Sequence, residues 1–487
     1  MTTAAAPARR RLRLRGLFAR VTSRRHQALD AAVLLSVVVA TVFVLPARAV
    51  VRGLGAAGRP HFIVAAGLLV WWLISQMHPR LRVRGTHPLL VLVWVYVGWL
   101  VLAWGMGYDR GLRPAEASNS DRTMIAAFAY LGVFLVAAYG LRSRHRVDIV
   151  LRTVVVGSAF SSAFAWVQFF LNRDYTEWLM LPGLEAHQSI IGIAERGAGM
   201  FARVAGTAGH YIEFGVVAAV TLPLAVHYAM IRPPGKRGNA WFAVLLIGGA
   251  VPFSLSRSAI VAFILVAIVM LVGWPRRTRF NAVAALLLAV PVYMVIKPGL
   301  LGTIRSLFLS APTDPSITGR TDDYATVWGY VAQRPIIGRG PGTFTPDQYI
   351  LLDNQWLLSL VEIGWVGVLL LAVIFLTAIR VLVNIRRRAA FVGDQELADL
   401  ALCLLAVVVT YAVTAAFFDA FFFTTATTLL WLTLGVTVAL ARQQRRHLQH
   451  LGIPVLGVGE RLRVALAGAR GGSAEDEPAE LTRARWI

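Results

Sequence analysis

Three arginines stand out as candidates for chemistry: Arg203 in Arg203-Val204-Ala205-Gly206-Thr207, Arg257 in Phe253-Ser254-Leu255-Ser256-Arg257-Ser258, and Arg320 in Gly319-Arg320-Thr321. A guanidinium is always charged and offers paired N–H donors, which suits a phosphate or diphosphate. Arg257 is the sharpest case, because it joins two strongly apolar runs and a cation buried unpaired at their shared end would be costly. Snorkelling to headgroups is its other use. Beside Arg203, Gly206 and Thr207 could add backbone donors to an anion. Arg339 is a weaker phosphate ligand: Gly338-Arg339-Gly340-Pro341-Gly342 lacks the Lys-Ser/Thr ending and preceding strand of a phosphate loop and reads as a tight turn.

Carboxylates form the second group. Asp353-Asn354 precedes an apolar run and Glu362 lies within it, so a carboxylate there could take a proton from an acceptor hydroxyl. The alternative uses are an N-cap at Asp353 or Asn354 and a Glu362 paired with an arginine. Glu213 and Asp419 are further acids at the edges of apolar runs, and Asp322-Asp323 suits a helix cap. No Asp-x-Asp signature occurs, His210 and the other histidines show no His-x3-His spacing, and Cys403 is the single cysteine. No metal, no cofactor and no intrachain disulfide are expected.

The elements that must position these residues are membrane helices. Of the 487 residues 57% are hydrophobic, mean hydropathy is +0.64, and apolar runs long enough to span a bilayer recur from 30–47 to 420–441. The predicted fold is an all-α polytopic membrane protein of about twelve transmembrane helices, with a large extracytoplasmic loop between helices 9 and 10. Arginine clusters at Arg80, Arg82 and Arg84, at Arg142, Arg144 and Arg146, and at Arg386, Arg387 and Arg388 follow even-numbered spans, which places both termini in the cytoplasm. The division is a basic cytoplasmic tail at 1–29, a membrane domain at 30–441 with extracytoplasmic segments 107–122, 172–209 and 299–354, and a cytoplasmic tail at 442–487. Arg48, Arg52 and Arg59 in the first outer loop depart from the parity. Because the net charge of +23 is spread through short loops, it reports orientation and anionic membrane lipids rather than nucleic acid.

On the outer face there is no ATP, so a reaction there needs an activated substrate, typically a sugar on a polyprenyl phosphate or diphosphate. The residues fit that setting. Arg203-Val204-Ala205-Gly206-Thr207, Ser256-Arg257-Ser258, Arg320 with Trp328, Pro335, Gly338, Gly340 and Phe344, and Asn354, Leu357, Glu362, Gly364 and Gly367 resemble, in order and spacing, the O-antigen ligase and polymerase family. The resemblance covers roughly residues 200–370. It implies a metal-independent, inverting glycosyltransferase of the bacterial cytoplasmic membrane, moving a glycan from a lipid-linked donor to a saccharide or glycolipid acceptor. Arg203, Arg257 and Arg320 would then hold the donor diphosphate, with Glu213, Glu362, Asn354 and Arg339 as further substrate contacts and Asp353 and Arg257 as catalytic residues. The family usually has His-Asn where this chain has Asp353-Asn354.

Two other classes use similar features. A transporter or flippase of lipid-linked saccharides would also want arginines, with charges at the bilayer midplane and paired repeats. A non-catalytic scaffold would use the segment 299–354 as a docking surface.

Overall fold

A backbone inside a bilayer has to satisfy its own polar groups, and this chain does so almost wholly with helices. The computed structural model describes residues 30–78, 85–187, 193–196, 201–309 and 315–453, with the side chains of 193–196 and 315–323 outside that description. The basic tail at 1–29 and the chain beyond 453 therefore lie outside the described residues. Fourteen helices occur within them: α1 (Ala31–Val44), α2 (Pro60–Met77), α3 (Pro88–Tyr108), α4 (Pro114–Gly140), α5 (Arg144–Leu171), α6 (Tyr211–Ile231), α7 (Gly238–Ala250), α8 (Arg257–Gly273), α9 (Arg276–Ile296), α10 (Leu300–Leu309), α11 (Pro315–Gln333), α12 (Gln355–Phe391), α13 (Gln395–Thr414) and α14 (Thr424–His450). Among the described residues nine of them, α2 to α6, α9 and α12 to α14, are long and apolar enough to cross a membrane, while α1, α7 and α8 are apolar but shorter. The protein is an all-α polytopic membrane protein.

Helix α14 is the core of the bundle: 94% of its most apolar stretch is buried, and it packs on α4, α12, α13, α2's neighbour α1 and α6. Its run of threonines is tolerated because the hydroxyls of Thr427, Thr428 and Thr437 donate back to the carbonyls of Phe423, Thr424 and Thr433. Gly435 lets α14 approach the α4 backbone at Phe134, where a Cβ would collide with the Phe134 carbonyl. At the other extreme α9 has no buried side chain, so its apolar surface faces outward.

The expected loop 107–122 is mostly helical. Helix α3 ends at Tyr108 and α4 begins at Pro114, leaving five residues between them. Pro114 suits a first helical turn, and the buried Glu116 carboxylate accepts the Arg113 backbone N–H at 3.0 Å. Helix α14 likewise runs past 441 to His450. The segment 172–209 carries strands: β2 (Leu184–Ala186) pairs antiparallel with β1 (Ala49–Val51), and β3 (Ile193–Arg196) with β4 (Phe201–Val204). This contact explains two of the arginines that break the charge parity. Arg48 pairs with Asp174 at 3.5 Å and Arg52 with Glu185 at 3.8 Å.

Between α9 and α12 the chain forms a lobe, here called the cap, containing α10, α11 and the glycine-rich segment. Helix α12 breaks at Gly364, where φ is 66° and ψ is −176°. The cap fills the break: Arg339 N–H donates to the Val361 carbonyl and Gly340 N–H to Glu362, both at 2.9 Å, while Trp365 N–H donates to Pro335 at 2.9 Å. A Cβ at Gly338 would meet the Glu362 backbone and one at Gly364 the Ile336 carbonyl, so both glycines are close-approach positions. The Gly364→Ala variant is expected to lose about 1–3 kcal/mol, the usual cost of a side chain in this region of backbone space, with a clear fall in thermal midpoint in detergent. Gly98→Ala, in open space on α3, should leave the midpoint unchanged or raise it.

Candidate functional site

The β4–α6 connection begins the site. Arg203 sits on β4 with its guanidinium 3.5 Å from the centre of the Tyr211 ring, a stack that occupies its face and leaves in-plane donors to hydrogen bonding. The following residues hold this arginine in place instead of binding an anion. Gly206, at φ 59°, is gripped at both backbone groups by the Gln168 amide, its N–H donating at 2.8 Å and its carbonyl accepting at 2.9 Å. Thr207 N–H donates to Ser161 Oγ at 3.2 Å and its hydroxyl to the Phe43 carbonyl at 2.7 Å. The expected backbone donors of Gly206 and Thr207 are thus already engaged.

His210 caps α6: its Nδ1 accepts the Ile212 N–H at 3.2 Å, so the proton of the neutral ring lies on Nε2. Burial and the Arg203 charge push its pKa down to about 4, against a pull upward from the Asp353 carboxylate. The same three groups therefore share one electrostatic neighbourhood.

Glu213 is fully buried and its two oxygens are spent on backbone. Oε2 accepts Gly209 N–H at 3.0 Å, and Oε1 accepts Thr425 N–H at 2.7 Å and Ala426 N–H at 3.4 Å. One carboxylate thereby closes the N-terminus of α6 and that of α14.

Arg257 opens α8 after a tight turn whose Leu255 has φ 43°. The turn packs on Gly215 of α6, where a Cβ would strike Ser254 and Ala259, and Ser258 Oγ donates to the Phe417 carbonyl at 3.4 Å. Phe417 belongs to the α13–α14 turn, residues 415–423, on which the start of α12 also rests. Gln355 N–H donates to the carbonyls of Ala415 and Phe418, and its Oε1 accepts Phe421 N–H at 2.8 Å. Asn354 is the N-cap of α12, accepting Trp356 and Leu357 N–H at 3.0 and 3.2 Å. Of the two residues able to cap, the amide does so and the Asp353 carboxylate does not. Phe423 brings the turn against His210, with ring centroids 5.6 Å apart. The turn carrying Asp419 thus supports the His210 ring, the segment that carries Arg257 through Ser258, and the start of α12 next to Asp353.

The other expected contacts lie in the cap. Glu362 accepts Phe344 N–H at 3.3 Å through its side chain and holds the glycine-rich segment rather than an arginine. Arg339 is 9% exposed, lies over the rings of Tyr330 and Tyr349, and donates to Gln333 Oε1 at 3.0 Å and Tyr349 Oη at 2.9 Å. Tyr349 in turn donates to Glu116, which also pairs with Arg110 at 3.0 Å. Arg320 is on α11, and its side chain is outside the described residues, as are those of Asp322 and Asp323. At the far end of the bundle His227, Asp399 and Cys403 come within 4.8 Å of one another. His227 and Asp399 are hydrogen-bonded at 2.6 Å, Asp399 accepts Trp274 Nε1–H at 3.0 Å, and Cys403 donates to the Pro223 carbonyl at 3.4 Å.

Residues 242–372 match the family model described as O-Antigen ligase. The matched segment holds Arg257, Arg320, Arg339, Asp353, Asn354 and Glu362, while Arg203, His210 and Glu213 precede it. No curated protein matches the chain at a significant level. The resemblance read from the sequence over roughly residues 200–370 is supported by this match over 242–372.

Two outcomes are expected from this geometry. Glu213→Ala strips three buried N–H groups of their acceptor, each worth about 1–3 kcal/mol, so its thermal midpoint should fall far more than that of Glu213→Gln, which keeps one acceptor oxygen. His210 in the unfolded chain gains its proton near pH 6.5 but in the folded protein only near 4. Wild type should therefore lose stability relative to His210→Asn, which retains the cap, as pH falls from 6.5 to 4, with no further divergence below. Parallel thermal melts across that range check the sign, and a gap that widens in the opposite direction would refute it.

Proposed function

We propose that the chain is a glycosyltransferase that crosses the bacterial plasma membrane twelve times, with both termini in the cytoplasm and its site on the opposite face. It transfers a glycan from a polyprenyl-diphosphate donor to a saccharide hydroxyl. The observation that carries this reading is the electrostatic neighbourhood that His210 shares with Arg203 and Asp353, beside the turn 415–423 on which the segment carrying Arg257 also rests, with the O-antigen ligase match spanning Arg257 and Asp353.

The chemistry is a displacement at the anomeric carbon. The acceptor oxygen attacks as the bond to the donor diphosphate breaks, and the charge that develops on the leaving diphosphate is met by Arg203, Arg257 and Arg320. A diphosphate departs without a general acid, so the proton to be managed is the one on the acceptor hydroxyl. Asp353 takes it, in a single inverting step that needs no metal. His210 feels both the Arg203 and the Asp353 charge. Neutral at physiological pH, it does not compete with the arginines for the diphosphate, and its Nε2–H serves as a hydrogen-bond donor beside the carboxylate. An imidazole is thereby returned to the neighbourhood in which the family has a histidine before the helix and this chain has Asp353. Glu213, Asn354, Glu362 and Arg339 hold the backbone elements that carry the reacting groups.

Transfer by purified protein from a lipid-linked oligosaccharide to a free saccharide acceptor tests the reading. Asp353→Asn is expected to lower turnover by roughly 10²–10⁴ with little change in donor affinity, the range for removing a general base. Arg257→Gln should weaken donor binding and turnover together. Full transfer by both variants would remove the mechanism.

A further inference from the structure

One arginine of the first loop stays unexplained once Arg48 and Arg52 have found acids. Arg59 is the N-cap residue of α2, and its Nε is sealed from solvent with no hydrogen-bond partner among the described residues. Two positions on, His61 is 5% exposed and its Nε2 is likewise sealed and without a partner among the described residues. Two adjacent buried nitrogens left unsatisfied in one place are unusual, since a buried donor normally has its acceptor and a buried cation its anion.

The surroundings tell what is missing. Glu213 is the anionic side chain whose field reaches Arg59, yet no ion pair joins them, and both Glu213 oxygens already accept backbone N–H groups of α6 and α14. Tyr130 of α4 lies beside the same arginine and packs edge-on against Phe62 at 5.7 Å. The niche thus lies within reach of Glu213 and Tyr130. Helix α2 packs one face on α4, while Ile63, Val70, Leu73, Ile74 and Met77 leave another apolar face exposed along its length. An apolar tail can lie along that face with its charged head at the helix N-terminus, where first-turn N–H groups favour negative charge.

We propose that Arg59 and His61 form a binding niche for the phosphate of a membrane-borne isoprenoid diphosphate, an anchor for the donor head group additional to Arg203, Arg257 and Arg320. The inference rests on the donor reading above and adds a residue outside the segment that matches the family. Arg59 supplies the charge and His61, as its Nε2–H tautomer, one directed hydrogen bond.

Binding of undecaprenyl diphosphate to the purified full chain, followed by native mass spectrometry with phosphatidylglycerol as competitor, tests this. Arg59→Gln should bind at least tenfold more weakly, Arg59→Lys should be intermediate because it keeps the charge without the fork, and His61→Asn should lose a few-fold. Undiminished binding in Arg59→Gln overturns the proposal, and so does equal displacement by phosphatidylglycerol, which would make the niche a general phospholipid site. If Arg59→Gln does not fold, Arg59→Lys and His61→Asn decide the matter: wild-type binding in both overturns it. Should Arg257→Gln weaken binding while Arg59→Gln does not, this inference alone falls. Should neither weaken it, the donor reading falls as well.

Discussion

The site depends on one buried carboxylate. A helix end inside an apolar bundle exposes N–H groups that neither water nor lipid can satisfy, and Glu213 satisfies those of two helices at once. By holding the start of α6 against the start of α14, it sets the distance between the β4–α6 connection and the turn 415–423. Arg203 and His210 ride on the first of these, and the Arg257 turn and the α12 cap rest on the second. The charge at the centre is consumed in building the scaffold, and the charges that remain for chemistry are arranged around it.

How much of this was legible in the sequence depends on the range of the interaction. Apolar runs register in the sequence because hydropathy is local, and among the described residues nine helices are long and apolar enough to cross a membrane. Asn354 as a cap and the arginine at the joint of two apolar runs are likewise local patterns. The partners of Glu213, Gly206 and Glu362 are not legible because they are distant in the chain: Thr425, Gln168 and Phe344. A residue type and its spacing say that a carboxylate can take a proton or an amide N–H can hold an anion, but not whether another segment has already claimed it. The loop at 107–122 failed for a different reason. Its polar residues read as connection, while Pro114 and Glu116 supply a helix start that extends α4 beyond its apolar part. His210 shows no metal-ligand spacing, and its electrostatic coupling to Arg203 and Asp353 follows from packing alone.

Electrostatic order on the site is also a matter of what is kept neutral. A second cation beside Arg203 would repel it and draw Asp353 into a tight ion pair, whereas a neutral imidazole leaves both groups their charge. Burial and the arginine enforce that neutrality together. The cap uses its charges in the opposite way: Arg339, Tyr349, Glu116 and Arg110 form a closed chain of hydrogen bonds that ties the glycine-rich segment to α4. Cation, ring and carboxylate are balanced there, as in a structural joint.

The break at Gly364 bears on the order in which the protein can be made. The carbonyls that receive the cap segment belong to Val361 and Glu362, in a helix synthesised after it, and two of the three N–H groups that anchor Glu213 belong to residues more than two hundred positions downstream. As the chain leaves the ribosome, the cap gains these partners only with α12, and Glu213 gains its distant ones only with α14. A product that stops before α14 leaves Glu213 with one of its three backbone donors, that of Gly209, and the start of α6 without the helix end to which it is joined.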